Sequence, residues 1–220
     1  MHRRIFRGAQ DMDAVDELDC VRKAVGGDRA ALERLLLAHY DALARHVAGA
    51  LPAALQSVVG VDDILQQTFV DAFRGVGDFQ PRDDKPFVAW LKVIANHRLT
   101  DAIKAHGRKK RGGGRQATRT PRDGQHSSYV DLLEMLSTDR RSPSQSVAAH
   151  EAIQAVQIAV AGLPLEQRDA IRLRYLEGKS LDETASAMQR TQNAIRGLLH
   201  RAKQSLKEML GNSSQWYSKK

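Results

Sequence analysis

The chain has 220 residues, with 34 Lys and Arg against 26 Asp and Glu, a formal net charge of +8. Hydrophobic residues make up 42% and aromatics 5%, which is enough apolar content for folded cores and excludes wholesale disorder. The basic excess favours an anionic partner (nucleic acid, an acidic protein or a membrane surface) without choosing among them.

Few aromatics and abundant Ala, Leu, Arg and Gln favour helix over strand, so an all-α fold is expected. Cys20 is the single cysteine. It rules out an intrachain disulfide and reads as a small buried apolar residue. The eight histidines are scattered and make no zinc pattern with one cysteine. The start, residues 1–7, is basic but lacks an apolar signal core, and no apolar run is long enough to span a bilayer. A cytoplasmic protein is expected. No Walker-type glycine loop occurs, and no cofactor or metal site is expected.

The first block covers residues 13–107. A short helix is expected around 18–24, and Gly26-Gly27-Asp28 separates it from a longer one over 31–51, stopped by Pro52. Val61, Ile64, Leu65, Thr68, Phe69, Ala72 and Phe73 then recur at i, i+3, i+4 spacing, a strong amphipathic-helix pattern. Gly75 and Gly77 end it. A loop follows over 78–86, with two prolines. The next helix starts near Phe87 and runs through Trp90, Leu91, Ile94, Leu99 and Ile103.

Residues 108–146 read as a flexible basic linker. Arg108-Lys109-Lys110-Arg111 and Gly112-Gly113-Gly114 combine like charges with glycine, and neither builds a core. Inside it lies an island with Tyr129, Leu132, Leu133 and Leu136 at helical spacing, closed by Pro143. It reads as a transient or docking helix, or as a segment ordered only by a partner.

The third block, 147–210, is helical again. Gly162-Leu163-Pro164 breaks its first helix, and the second, 167–176, stops at Gly178. Ser180-Leu181-Asp182-Glu183 is a capping box: the Ser hydroxyl accepts the Glu183 N–H and the carboxylate reaches back. A short helix to Met188, a turn at Gln189-Arg190 and a final helix capped by Thr191 make a helix-turn-helix pattern. The last helix buries Ile195, Leu199, Ala202 and Leu206. It leaves Gln192, Asn193, Arg196, His200, Arg201 and Lys203 more exposed, side chains suited to phosphates and base edges. An ordinary three-helix packing unit with a solvated basic face fits the same pattern. A short polar tail, 211–220, closes the chain.

These residues carry a family resemblance. Leu163-Pro164-Leu165-Glu166-Gln167-Arg168, Arg174-Tyr175-Leu176-Glu177-Gly178-Lys179-Ser180, Glu183-Thr184-Ala185 and the run from Ala194 to Ala202 resemble region four of bacterial sigma factors of the extracytoplasmic-function class. Asp62-Asp63-Ile64-Leu65-Gln66-Gln67-Thr68-Phe69 and Phe87-Val88-Ala89-Trp90-Leu91-Lys92-Val93-Ile94-Ala95-Asn96 resemble their region two, and Gly27-Asp28-Arg29-Ala30-Ala31 with Tyr40 its opening. The sequence departs from the family pattern at Gln67, where an acid is usual, at Gln189, where the turn often carries Gly, and over 193–198.

The resemblance implies an initiation subunit without catalysis of its own. Its partners would be core RNA polymerase, through the β′ clamp helices and the β flap, and promoter DNA, with an anti-sigma factor as a further partner. Asp62, Asp63, Gln66 and Gln67 would dock on polymerase; a plain solvated helix face is the alternative. The loop 79–86 would border a pocket for a flipped base of the melted minus-ten strand. Lys92, Asn96, Arg98 and Lys104 would contact that strand, with Asn96 the foremost base contact. Phe87 and Trp90 fit core packing better than stacking wedges. Arg190, Thr191, Gln192, Asn193, Arg196 and His200 would read the minus-thirty-five element, Arg196 as a base contact or a phosphate anchor. The basic linker would follow an anionic route through the polymerase, or serve as a tether. Two other readings compete: a stand-alone helix-turn-helix repressor, and a nucleic-acid-modifying enzyme, which would need clustered carboxylates or His/Cys ligands.

Overall fold

The computed structural model describes residues 12, 14–56, 58–81, 86–111, 124–136 and 146–217. All regular structure among them is helical. The chain forms two compact units, Met1–Arg122 and Asp123–Lys220.

In the first unit, α1 (Ala14–Val25) packs on α2 (Arg29–Ala38). Gly27, at φ 94, makes the turn between them, a conformation that costs a side-chain-bearing residue more than glycine. Asp28 caps α2, its carboxylate accepting the Ala31 N–H at 3.1 Å. The single helix expected over 31–51 is two. His39 leaves helical geometry (φ −99, ψ 1), and α3 (Tyr40–Ala50) starts after it. The His39 imidazole lies 3.1 Å from a Glu17 carboxylate oxygen on α1, a tie that an uninterrupted pattern does not reveal. A short α4 (Ala53–Gln56) follows Pro52.

The long periodic helix is α5 (Val61–Gly75), followed by a 3-10 turn over Val76–Asp78. It packs on α6 (Phe87–Arg111), and α3 packs on both. Their shared core holds Leu43, Val47, Leu65, Phe69 and Leu91. Buried Thr68 satisfies its hydroxyl by donating to the Ile64 carbonyl at 2.7 Å, so it sits in the apolar stripe without an orphaned polar group.

Two stretches of the expected linker are helical. α6 continues through Arg111, and residues 124–136 form α7 (Gly124–Leu136). Tyr129, Leu132 and Leu136 fall at i, i+3 and i+7, one face of a helix. They are buried with Val156, Ile171, Ile195 and Leu206 in the core of the second unit. The island is therefore a core helix, because three large apolar groups on one face have a core to enter. Gly112-Gly113-Gly114 and Pro143 lie outside the described residues.

α7 packs on α8 (Ser146–Ala161), and α9 (Leu165–Ile171) packs on α11 (Gln192–Tyr217). The turn after α9 is a π-helix over Arg172–Leu176 rather than a continuation of α9. α10 (Leu181–Met188) packs on α11, which runs on to Tyr217 through most of the stretch read as a polar tail.

Candidate nucleic-acid interface

The turn between α10 and α11 aims the proposed reading surface. Gln189 stands in the left-handed region at φ 53, ψ 45, where glycine would be easier. Its N–H donates to the Ser186 carbonyl at 3.2 Å and the Arg190 N–H to the Ala185 carbonyl at 3.0 Å, which closes the end of α10. The start of α10 carries the expected capping box: Ser180 Oγ accepts the Glu183 N–H at 3.1 Å and Glu183 Oε2 accepts the Ser180 N–H at 2.7 Å. That backbone donation holds the Glu183 carboxyl below its ordinary pKa. Thr191 caps α11, its Oγ accepting the Ala194 N–H at 3.2 Å.

All six residues expected to read the minus-thirty-five element are exposed. Gln192, Asn193, Arg196 and His200 share an exposed face of α11, beside the buried row of Ile195, Leu199, Ala202 and Leu206. The face is partly tied down. Gln192 Nε2 donates to Asp182 on α10. Arg190 donates to Glu166 on α9. Arg196 donates to Asn193 Oδ1 at 3.2 Å. Residue patterning misses the carboxylates of Glu166 and Asp182, because each lies on a different element from its partner. Further along α11 the Lys203 ammonium stands 5.3 Å from the centre of the Tyr175 ring, a cation–π contact.

In the first unit the four minus-ten candidates divide into two sets on α6. Arg98 and Lys104 line a cleft of 560 Å³ with Asp71, Trp90, His97 and Thr100. Arg98 is ion-paired there with Asp71 on α5 and, at 3.4 Å, with Asp101. The Asp71 hydrogen bond raises the guanidinium's pKa above its ordinary value, so its charge is fixed. Lys92 and Asn96 lie outside the cleft lining. Exposed Asn96 has its Oδ1 2.9 Å from His46 Nε2 on α3. The structure thus brings Arg98 to Lys104 and sets Asn96 beside His46. His46, Asp71 and His97 escape a reading of α6 alone; Asp101, at i+3 from Arg98, is visible in the spacing.

Phe87 is buried, as expected of core. Trp90 is half-buried, with ring centres 5.2 Å from both Phe79 and Phe87. It packs on one side and walls the cleft with the other. Of the loop that would border the base pocket, residues 82–85 lie outside the described residues. On α5, Asp62, Asp63, Gln66 and Gln67 share one face, away from the buried stripe of Ile64, Leu65, Thr68 and Phe69. Asp63 also accepts the Gly60 N–H at 3.3 Å, so one of the acids expected to dock doubles as an N-terminal cap.

Known proteins match both units. The family model for Sigma-70 region 2 matches residues 36–109, and that for Sigma-70, region 4 matches residues 153–206. The chain is 29% identical over 194 residues to the ECF RNA polymerase sigma factor SigD of Mycobacterium tuberculosis (strain ATCC 25618 / H37Rv), covering 88% of this chain and 84% of the relative. It is 29% identical over 208 residues to the ECF RNA polymerase sigma factor BldN of Streptomyces coelicolor (strain ATCC BAA-471 / A3(2) / M145), covering 93% and 69%. It is 27% identical to the RNA polymerase sigma factor CnrH of Cupriavidus metallidurans (strain ATCC 43123 / DSM 2839 / NBRC 102507 / CH34), covering 88% and 93%.

Proposed function

The chain belongs to the sigma-70 family, in its extracytoplasmic-function class, and from that premise we propose how its residues share the work of initiation. As a sigma factor it binds core RNA polymerase and directs promoter recognition, with its region two at the minus-ten element and its region four at the minus-thirty-five element. The observation that supports the residue assignment best is the exposed N-terminal half of α11, delivered by a capped helix and a left-handed turn. Arg190, Thr191, Gln192, Asn193, Arg196 and His200 are the minus-thirty-five readers. Arg196 serves guanine or phosphate, and Asn193 and Gln192 offer amide groups to base edges.

In the first unit Asn96 takes the base contact of the melted minus-ten strand, with Lys92 beside it. Arg98 and Lys104 supply positive charge along the backbone from the neighbouring cleft. Asp62, Asp63, Gln66 and Gln67 present acceptors to basic side chains of the polymerase β′ clamp helices. The second unit meets the β flap, and an anti-sigma factor is a further partner. The chain works in the cytoplasm, where the polymerase makes the phosphodiester bonds, and contributes no catalysis of its own. Adding the purified protein to core polymerase tests this reading. Promoter-specific transcripts are the expected outcome; tight duplex binding by the protein alone, with no transcript from any promoter in a genomic library, would replace it with a stand-alone repressor.

A further inference from the structure

We propose that Asp182 is a specificity-determining residue that fixes the amide of Gln192, so that this position reads a hydrogen-bond donor on the base edge. The inference rests on the reading of α11 as the minus-thirty-five reader.

A side-chain amide is two-faced. Its oxygen only accepts and its nitrogen only donates, and a free Gln can turn either end toward a base. An ionised carboxylate only accepts. Asp182, exposed in the first turn of α10, takes the hydrogen bond of Gln192 Nε2. Chemistry therefore fixes the orientation: the nitrogen faces Asp182 and the carbonyl oxygen faces away. In the major groove, amino groups are offered by adenine N6 and cytosine N4, while guanine O6 and N7 and thymine O4 only accept. A carbonyl held outward suits the first pair and meets lone pairs on the second.

Asp182 is well placed to hold this geometry. The capping box fixes the start of α10 through Ser180 and Glu183, and Thr191 fixes the start of α11. Donor and acceptor thus sit on two capped helix ends, ten residues apart in sequence. Arg190 shows the same arrangement, held by Glu166 on α9. Readers tied to carboxylates before DNA arrives lose less side-chain freedom on binding. The carboxylates also weaken attraction for phosphates, which lowers affinity for sequences that make no base contact.

The test reconstitutes holoenzyme with core polymerase and sequences the duplexes it retains from a random DNA library. Three proteins are compared: wild type, Asp182→Asn and Gln192→Ala. The wild type should favour adenine or cytosine over guanine and thymine about tenfold at one minus-thirty-five position, within the range of a good base contact. Gln192→Ala should erase the preference at that position alone. Asp182→Asn leaves an amide partner that also donates, so Gln192 can turn over. The preference should fall to about twofold there with the other positions unchanged, while retention of unrelated sequences rises. A role confined to the stability of α10 would weaken all positions alike. An unchanged profile in Asp182→Asn, with the effect of Gln192→Ala present, overturns the inference and leaves Gln192 as a reader. An unchanged profile in Gln192→Ala overturns both.

Discussion

Gln189 is the only non-glycine residue at positive φ among the described residues, and it stands at the hinge of the reading helix. A left-handed conformation costs an L-residue roughly 1–2 kcal/mol, and glycine returns part of that through its looser unfolded chain. Gln189→Gly should therefore stabilise the second unit by about 0.5 kcal/mol, read as a higher urea midpoint. Glu183 acts through pH. Its carboxyl is held below the ordinary value of 4.5 by the Ser180 N–H. A group depressed on folding lends stability that is full above its unfolded pKa and fades as pH drops through the folded one. Glu183→Gln keeps an acceptor but cannot titrate. The wild-type advantage over this variant should hold at neutral pH and shrink as pH falls below 4.5, followed by thermal melting across an acid series.

At the scale of elements, α7 separates two expectations. If residues 124–136 were a tether, Leu132→Ala would be silent. Leu132 is fully buried, so truncation should cost about 2–4 kcal/mol in the second unit and leave the first unit's melting in place. On α5, Asp63→Lys should weaken core-polymerase binding severalfold in a titration while circular dichroism stays unchanged, although part of a helix cap is lost. Most helices were legible because one amphipathic face repeats at i, i+3, i+4, as over Val61 to Phe73. The break at His39 was not, because Leu35, Leu36, Leu43 and Val47 keep one phase across it. α7 was legible as a helix but its place in the core was not: its apolar stripe is short, and its partners on α8 and α11 begin at residue 146 and beyond. The exposure of Gln192, Asn193, Arg196 and His200 on α11 could be traced from periodicity. The ties of Arg190 to Glu166 and of Arg98 to Asp71 could not, since they join positions 24 and 27 apart in different parts of the fold.

On the scale of the whole molecule, the +8 charge is shared unevenly. Basic groups crowd the end of α6 and the face of α11, while Asp62 and Asp63 open α5. This suits a protein that meets nucleic acid with one part of each unit and a basic protein with another. The packing of α7 changes the connection between the units. With α6 ending at Arg111 and α7 starting at Gly124, residues 112–123 are what joins them. Twelve residues reach at most about 40 Å whatever path they take, against more than about 120 Å for the stretch 108–146 fully extended. Burying three side chains of α7 thus puts a short rule on the DNA, an upper limit on the gap between the two promoter elements that the units can bridge. Eight Gly/Ser residues inserted after Gly112 should broaden the range of spacer lengths that gives transcripts. The same insertion after Arg140, beyond α7, should leave that range as it was. Equal broadening by both would mean that α7 does not hold the far end of the rule.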